Sequence, residues 1–148
     1  MQQGEVLVAL LGKGATVVRY LDETASRVSV ALGRNKQARI PRNRIVLATG
    51  VLLPDQEKFE EFRADALAQS AEIDLAEVWE VVASDGEAVS LDDLADLYWT
   101  SPPEPASLVA LALGLDRDTD RFVHGADGYA PRSREELDEL LARRQREA

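Results

Sequence analysis

Apolar residues recur with a period of two along residues 1–50 and with a helical period beyond them. Val6, Val8 and Leu10 alternate with Leu7, Ala9 and Leu11, and Val28, Val30 and Leu32 alternate with Arg27, Ser29 and Ala31. Successive side chains on a strand point to opposite faces, so this pattern predicts strands with one face inward. Gly12-Lys13-Gly14, Asp22-Glu23-Thr24 and Gly33-Arg34-Asn35 supply the turns between them, since Gly and Asn tolerate positive φ. Ile40-Pro41-Arg42-Asn43-Arg44-Ile45 reads as a short kink before a last strand, Ile45 to Ala48. Five short strands in about fifty residues, with no room for a crossover helix, predict a small SH3-like β-barrel.

Beyond Pro54 the period changes. Phe59, Phe62, Ala66 and Leu67 fall on one face of a helix. Asp74 caps a second helix, with Glu77 placed to close a capping box, and its inward face is Leu75, Val78, Trp79 and Val82 before Gly86. Ser90 caps a third, carrying Leu91, Leu94, Ala95 and Tyr98. Ser101-Pro102-Pro103-Glu104 predicts a fourth, with a cap followed by a proline at the first position, running through Leu108, Leu111 and Ala112 to Gly114. Phe122-Val123-His124 and Tyr129-Ala130-Pro131 flank the turn Gly125-Ala126-Asp127-Gly128, a hairpin. Ser133 with Glu136 opens a final helix bearing Leu137, Leu140 and Leu141. Three helices, a hairpin and flanking helices are the winged helix-turn-helix pattern. The expected class is α+β: a small SH3-like β-barrel over residues 1–53, then a winged helix-turn-helix domain with a C-terminal helix over 54–148. The change of period predicts two separate cores joined near Val51 to Pro54.

Charge changes sign at the same boundary. The chain carries a net charge of -10. Residues 1–53 hold eight basic and three acidic residues, a net +5, and residues 54–148 hold nine basic and 24 acidic residues, a net -15. A composition that is 45% apolar fits a globular chain. The absence of cysteine excludes a disulfide scaffold and a thiolate metal site. No apolar run approaches the ~18 residues of a membrane span, and Met1-Gln2-Gln3-Gly4-Glu5 lacks the basic and apolar regions of a signal peptide. A cytoplasmic protein without membrane contact is expected.

The basic residues gather in the second half of the predicted barrel as Arg34, Lys36, Arg39, Arg42 and Arg44. They are the candidate RNA-binding residues, offering charges and forked donors to phosphates. Tyr20 is the sole aromatic in this segment, so base stacking is not expected there. Binding should then be weak, salt-sensitive and largely sequence-blind. Arg117, Arg121, Arg132 and Arg134 around the predicted wing are the secondary candidates. The fourth helix occupies the recognition position, yet from Pro102 to Leu115 it holds no Lys, Arg, Asn or Gln to read base edges.

Other groupings carry less. Asp116, Asp118 and Asp120 have the opening spacing of a calcium loop, but Arg121 stands where glycine is needed and Asp127 where a bidentate Glu is usual. Asp92, Asp93 and Asp96 read as the acidic first turn and outer face of a helix. His124, the only histidine, has no nucleophile in a recognisable motif and reads as a hairpin residue. Trp79 and Trp99 read as core. No metal or catalytic site is expected.

The order of these features, and above all the stretch from Phe122 through His124-Gly125-Ala126-Asp127-Gly128-Tyr129 to Leu137, resembles the N-terminal region of ribonuclease II family exoribonucleases, in the subgroup that carries a winged helix. Val89-Ser90-Leu91-Asp92-Asp93-Leu94-Ala95-Asp96-Leu97-Tyr98 is similar to a helix of that winged domain. The resemblance covers most of the chain. It implies single-stranded RNA as partner and 3′-to-5′ hydrolysis assisted by magnesium, with the catalytic aspartates in a large downstream domain. No position here matches that catalytic motif, so no cofactor is expected in this chain. The implied role is an accessory, substrate-guiding region, either a fragment of such an enzyme or a chain that has lost it. A catalytic exoribonuclease domain in cis, or a protein partner, would complete it. A winged-helix DNA-binding regulator and an acidic protein-interaction module are the alternatives.

Overall fold

The computed structural model describes residues 1–12, 14–33, 35–125 and 128–147. The turn positions Lys13, Arg34, Ala126 and Asp127 named above lie outside them. The chain is α+β. Strands β1 (Glu5–Leu11), β2 (Gly14–Glu23), β3 (Arg27–Gly33), β4 (Lys36–Pro41) and β5 (Ile45–Leu52) form one antiparallel sheet in the order β4-β3-β2-β1-β5. Helices α1 (Gln56–Glu72), α2 (Leu75–Val82), α3 (Leu91–Tyr98) and α4 (Pro105–Arg117) follow, then the hairpin β6 (Phe122–Gly125) and β7 (Gly128–Pro131), then α5 (Arg134–Glu147). None of the described helices is long and apolar enough to cross a membrane.

The edge strands β4 and β5 are joined by a single 3₁₀ turn, Arg42–Arg44. In a flat sheet they would stand about 19 Å apart, four spacings of ~4.8 Å. Three 3₁₀ residues rise only about 6 Å. The sheet is therefore strongly curled, although β4 and β5 do not pair and no closed barrel forms. Arg42 bonds Glu23 and donates to the Thr24 carbonyl at 3.0 Å, which ties the β2–β3 turn to the 3₁₀ turn.

Curling explains the unbroken apolar run of β1. Leu7 and Ala9 face the inside of the curled sheet with Val18, Val28, Val30 and Ile40. Val6 and Val8 face the helices. All four β1 residues are fully buried, so the expectation of one inward face per strand is corrected: both faces of β1 are covered.

The expectation of separate cores is also corrected. Val6, Val8 and Val17 of the sheet pack with Phe59 and Ala66 of α1 and with Val109, Ala112 and Leu113 of α4 in one cluster. On its other side α4 contributes Leu111 and Leu115 to a second cluster with Trp79, Val82, Leu94, Phe122 and Tyr129. Helix α4 is thus shared by the sheet and the helix–hairpin half. Its Asp116 accepts the Ala15 amide at 2.7 Å across the β1–β2 turn. Arg19 fastens the boundary segment by donating to the carbonyls of Leu53 (3.2 Å) and Pro54 (2.9 Å) and to Gln56, with its guanidinium over the Phe59 ring.

Helix starts follow local chemistry. Asp74 accepts the Glu77 amide and Ser90 the Asp93 amide, each at 3.1 Å. Ser133 and Glu136 form a reciprocal capping box. Helix α4 begins at Pro105, with Glu104 at its N-cap position, and not at Pro102. The residue before a proline is disfavoured in the helical region, which sets Pro102 before Pro103 and Glu104 before Pro105 against helix, and Glu104 is extended.

Candidate nucleic-acid interface

Alternation along β4 divides the basic patch. Lys36 lies on the face of Ala38 and Ile40, which line the curled interior, whereas Arg39 lies on the opposite face, in register with Ser29 and through it with Asp22. Arg42 is held by Glu23. Arg44, at the end of the 3₁₀ turn, is exposed and makes no ion pair among the described residues. Arg34 lies outside the described residues. Of the five cations expected as one cluster, the four described ones are therefore distributed over two faces and a turn.

The arginines expected around a wing are engaged within the protein. Arg117 donates to the Ser70 hydroxyl at 3.2 Å. Arg121 pairs with Asp118 at 2.9 Å. Arg132 donates to the Thr119 carbonyl at 3.2 Å. Arg134 grips both Glu80 oxygens at 2.8 and 2.7 Å, 5.2 Å above the Trp79 ring. Those Glu80 bonds are also the main reason its guanidinium is held above its ordinary pKa. Helix α4, expected from the sequence to be a recognition helix, is buried from Val109 to Leu115, so that stretch presents no face to a DNA groove.

The acidic groupings resolve in the same way. Asp116 holds the Ala15 amide, Asp118 pairs with Arg121 and Asp120 with Arg144. Asp92, Asp93 and Asp96 are exposed on α3. Trp79 is core, 2% exposed, and its indole nitrogen donates to the Arg132 carbonyl at 2.8 Å. Trp99 is half-buried, edge-on to Tyr98 at 5.0 Å.

A cleft of about 740 Å³ lies between the sheet and the hairpin. One wall is Asn43 of the 3₁₀ turn with Ile45 and Val46 of β5, and the other is His124, Gly125, Gly128 and Tyr129. Among the described residues no carboxylate lines it, although the chain has 27 acidic residues. His124 and Tyr129 are register partners across the hairpin, and their rings stack at 4.4 Å and 11°. Tyr129 is 2% exposed while His124 is exposed, so the imidazole covers the phenol and keeps its outer face open. Val89 fixes Tyr129 from behind through two backbone bonds of 2.9 and 2.8 Å. Reading the sequence placed His124 in the hairpin but missed its role in a cleft wall. The hairpin register implies the stack, whereas nothing local signals that the 3₁₀ turn faces it.

Burial, and then the charge of Asp116, push the Tyr129 phenol up to about 12 from its ordinary value near 10. A raised pKa in the folded state gives stability that is complete below pH 10 and is lost as pH rises through 12. The expected loss over that window is about 3 kcal/mol. Urea unfolding of Tyr129→Phe should show a correspondingly shallower decline above pH 10, and parallel declines would exclude this origin.

Comparison with known proteins returned no matching family model, no similar curated protein and no similar solved structure.

Proposed function

We propose that this chain is an accessory, RNA-guiding region of a ribonuclease II-type 3′-to-5′ exoribonuclease, without catalytic residues of its own. The observation that carries the reading is a large cleft with no carboxylate among its described lining residues, bordered by the basic 3₁₀ turn, in a chain of net charge -10. An acidic protein that leaves one such cleft leaves it open to a polyanion. The finer architecture we propose is an SH3-like barrel followed by a winged helix. The strand order β4-β3-β2-β1-β5, with a 3₁₀ turn between the edge strands, supports the first. The succession α2, the Val89 bridge, α3, α4 and the β6–β7 hairpin supports the second. Burial of α4 disfavours a DNA-reading regulator.

Asp116, Asp118 and Asp120 do not fit magnesium. Each is committed to a different partner, whereas a hydrolytic metal site needs carboxylates converging on one point. Magnesium-assisted hydrolysis belongs, on this reading, to a catalytic domain in cis.

The test is affinity of the 148-residue chain for single-stranded RNA across a salt series. If Lys36, Arg39, Arg42 and Arg44 each neutralise one phosphate, the slope of log K against log salt should be about -3. Changing Lys36, Arg39 and Arg44 to Ala should reduce it to about -1. Arg42 is left in place because it supports the turn. An unchanged affinity and slope in the triple variant would reject the assignment.

A further inference from the structure

Resting on the RNA-guiding reading, we infer that the cleft between the 3₁₀ turn and the hairpin takes one unstacked RNA base on the open face of His124, with the adjoining phosphate at Arg44. Four observations converge on this. First, the two rings already lie nearly parallel, at 11°, so a base laid on the imidazole extends an existing stack. The buried Tyr129, held by Val89, keeps the imidazole from tilting away. Second, the cleft volume of about 740 Å³ lies within the range of small-ligand sites. Third, its surfaces suit a base: Leu10, Ile45, Val46 and Leu91 offer apolar contact, and the Asn43 amide can donate to and accept from a base edge. Gly125 puts no side chain on the hairpin wall, and nothing lies within 4 Å of where its Cβ would be, which leaves the backbone approachable there.

Fourth, the charges agree. The described lining residues include no carboxylate to repel a phosphate, and the exposed Arg44 follows Asn43 directly in the 3₁₀ turn. Stacking tolerates any base because every base has a π-face. The site would therefore hold RNA without selecting sequence, and its grip would persist at salt concentrations that weaken the phosphate contacts.

The probe is a short oligouridylate carrying one 2-aminopurine, scanned through successive positions and added to the whole chain. One position should lose fluorescence on binding. His124→Ala should abolish that quenching and weaken binding about tenfold, with the salt slope unchanged. His124→Phe should restore both. Arg44→Ala should lower the slope yet keep the quenching at low salt. The unfolding midpoint of each variant is measured alongside, and His124→Phe keeps the test valid if the alanine variant is unstable. If intact RNA binds with the expected slope but is unaffected by His124→Ala, or if an abasic residue at the quenched position costs nothing, the stacking site is overturned and the guiding role stands. If the unmodified chain binds no RNA at low salt, both fall.

Discussion

Replacing Gly128 with alanine should destabilise the protein by about 3 kcal/mol, which for a chain of this size lowers Tm by roughly 10 °C. Gly128 has φ +118°, a conformation that L side chains rarely adopt. An added Cβ would also lie 2.6 Å from the Val89 carbonyl oxygen and 2.9 Å from its carbon. Both are backbone atoms, and Val89 cannot retreat without breaking its paired bonds to Tyr129. The damage should therefore reach the cleft wall as well as the global stability. Gly125, at the other side of the same turn, is the control. Nothing lies within 4 Å of its added Cβ, so Gly125→Ala should stay within about 0.5 kcal/mol of the parent. Thermal and urea unfolding of the two variants decide the matter, and equal midpoints would contradict the strain argument.

A chain ending at Leu53 should not fold. The sheet could bury its curled interior alone, but Val6, Val8 and Val17, at most 2% exposed in the intact protein, would lose the covering residues of α1 and α4. Arg19 would lose Pro54, Gln56 and the Phe59 ring. A domain of about 60 residues is already marginal with its core complete, and this one would expose a contiguous apolar face prone to association. Amide dispersion in an NMR spectrum of residues 1–53 is the readout. A well-dispersed spectrum with a cooperative unfolding transition would restore the idea of two independent cores.

How much of this was legible depended on the range of the interaction that decides each feature. Caps at Asp74, Ser90 and Ser133 are settled within three residues, and the sequence pattern located them. The start of α4 was misplaced because the capping signature at Ser101 was weighed without the restraint that Pro103 and Pro105 impose on their predecessors. The uninterrupted run Val6 to Leu11 was compatible with strand alternation, yet its lack of any polar position was the sign that both faces are covered. The basic patch looked like one cluster because Lys36, Arg39 and Arg44 are close in the chain. Strand period and the curl of the sheet separate them. Arg117 and Arg134 near the hairpin looked available because their partners, Ser70 and Glu80, are distant in sequence. The cleft was illegible for the same reason: Asn43 and His124 meet only through the packing of intervening elements.

Helix α4 carries almost no charge and touches both halves, resting on the sheet through Val109 and Leu113 and on the hairpin side through Leu111 and Leu115. Strand β5, from the cleft's first wall, and Phe122, at the root of its second, are both packed against it. The gap between the walls is therefore set by a helix that is not among the residues lining it. A ligand arriving there meets jaws whose spacing is fixed during folding, so little ordering entropy is left to be lost on binding.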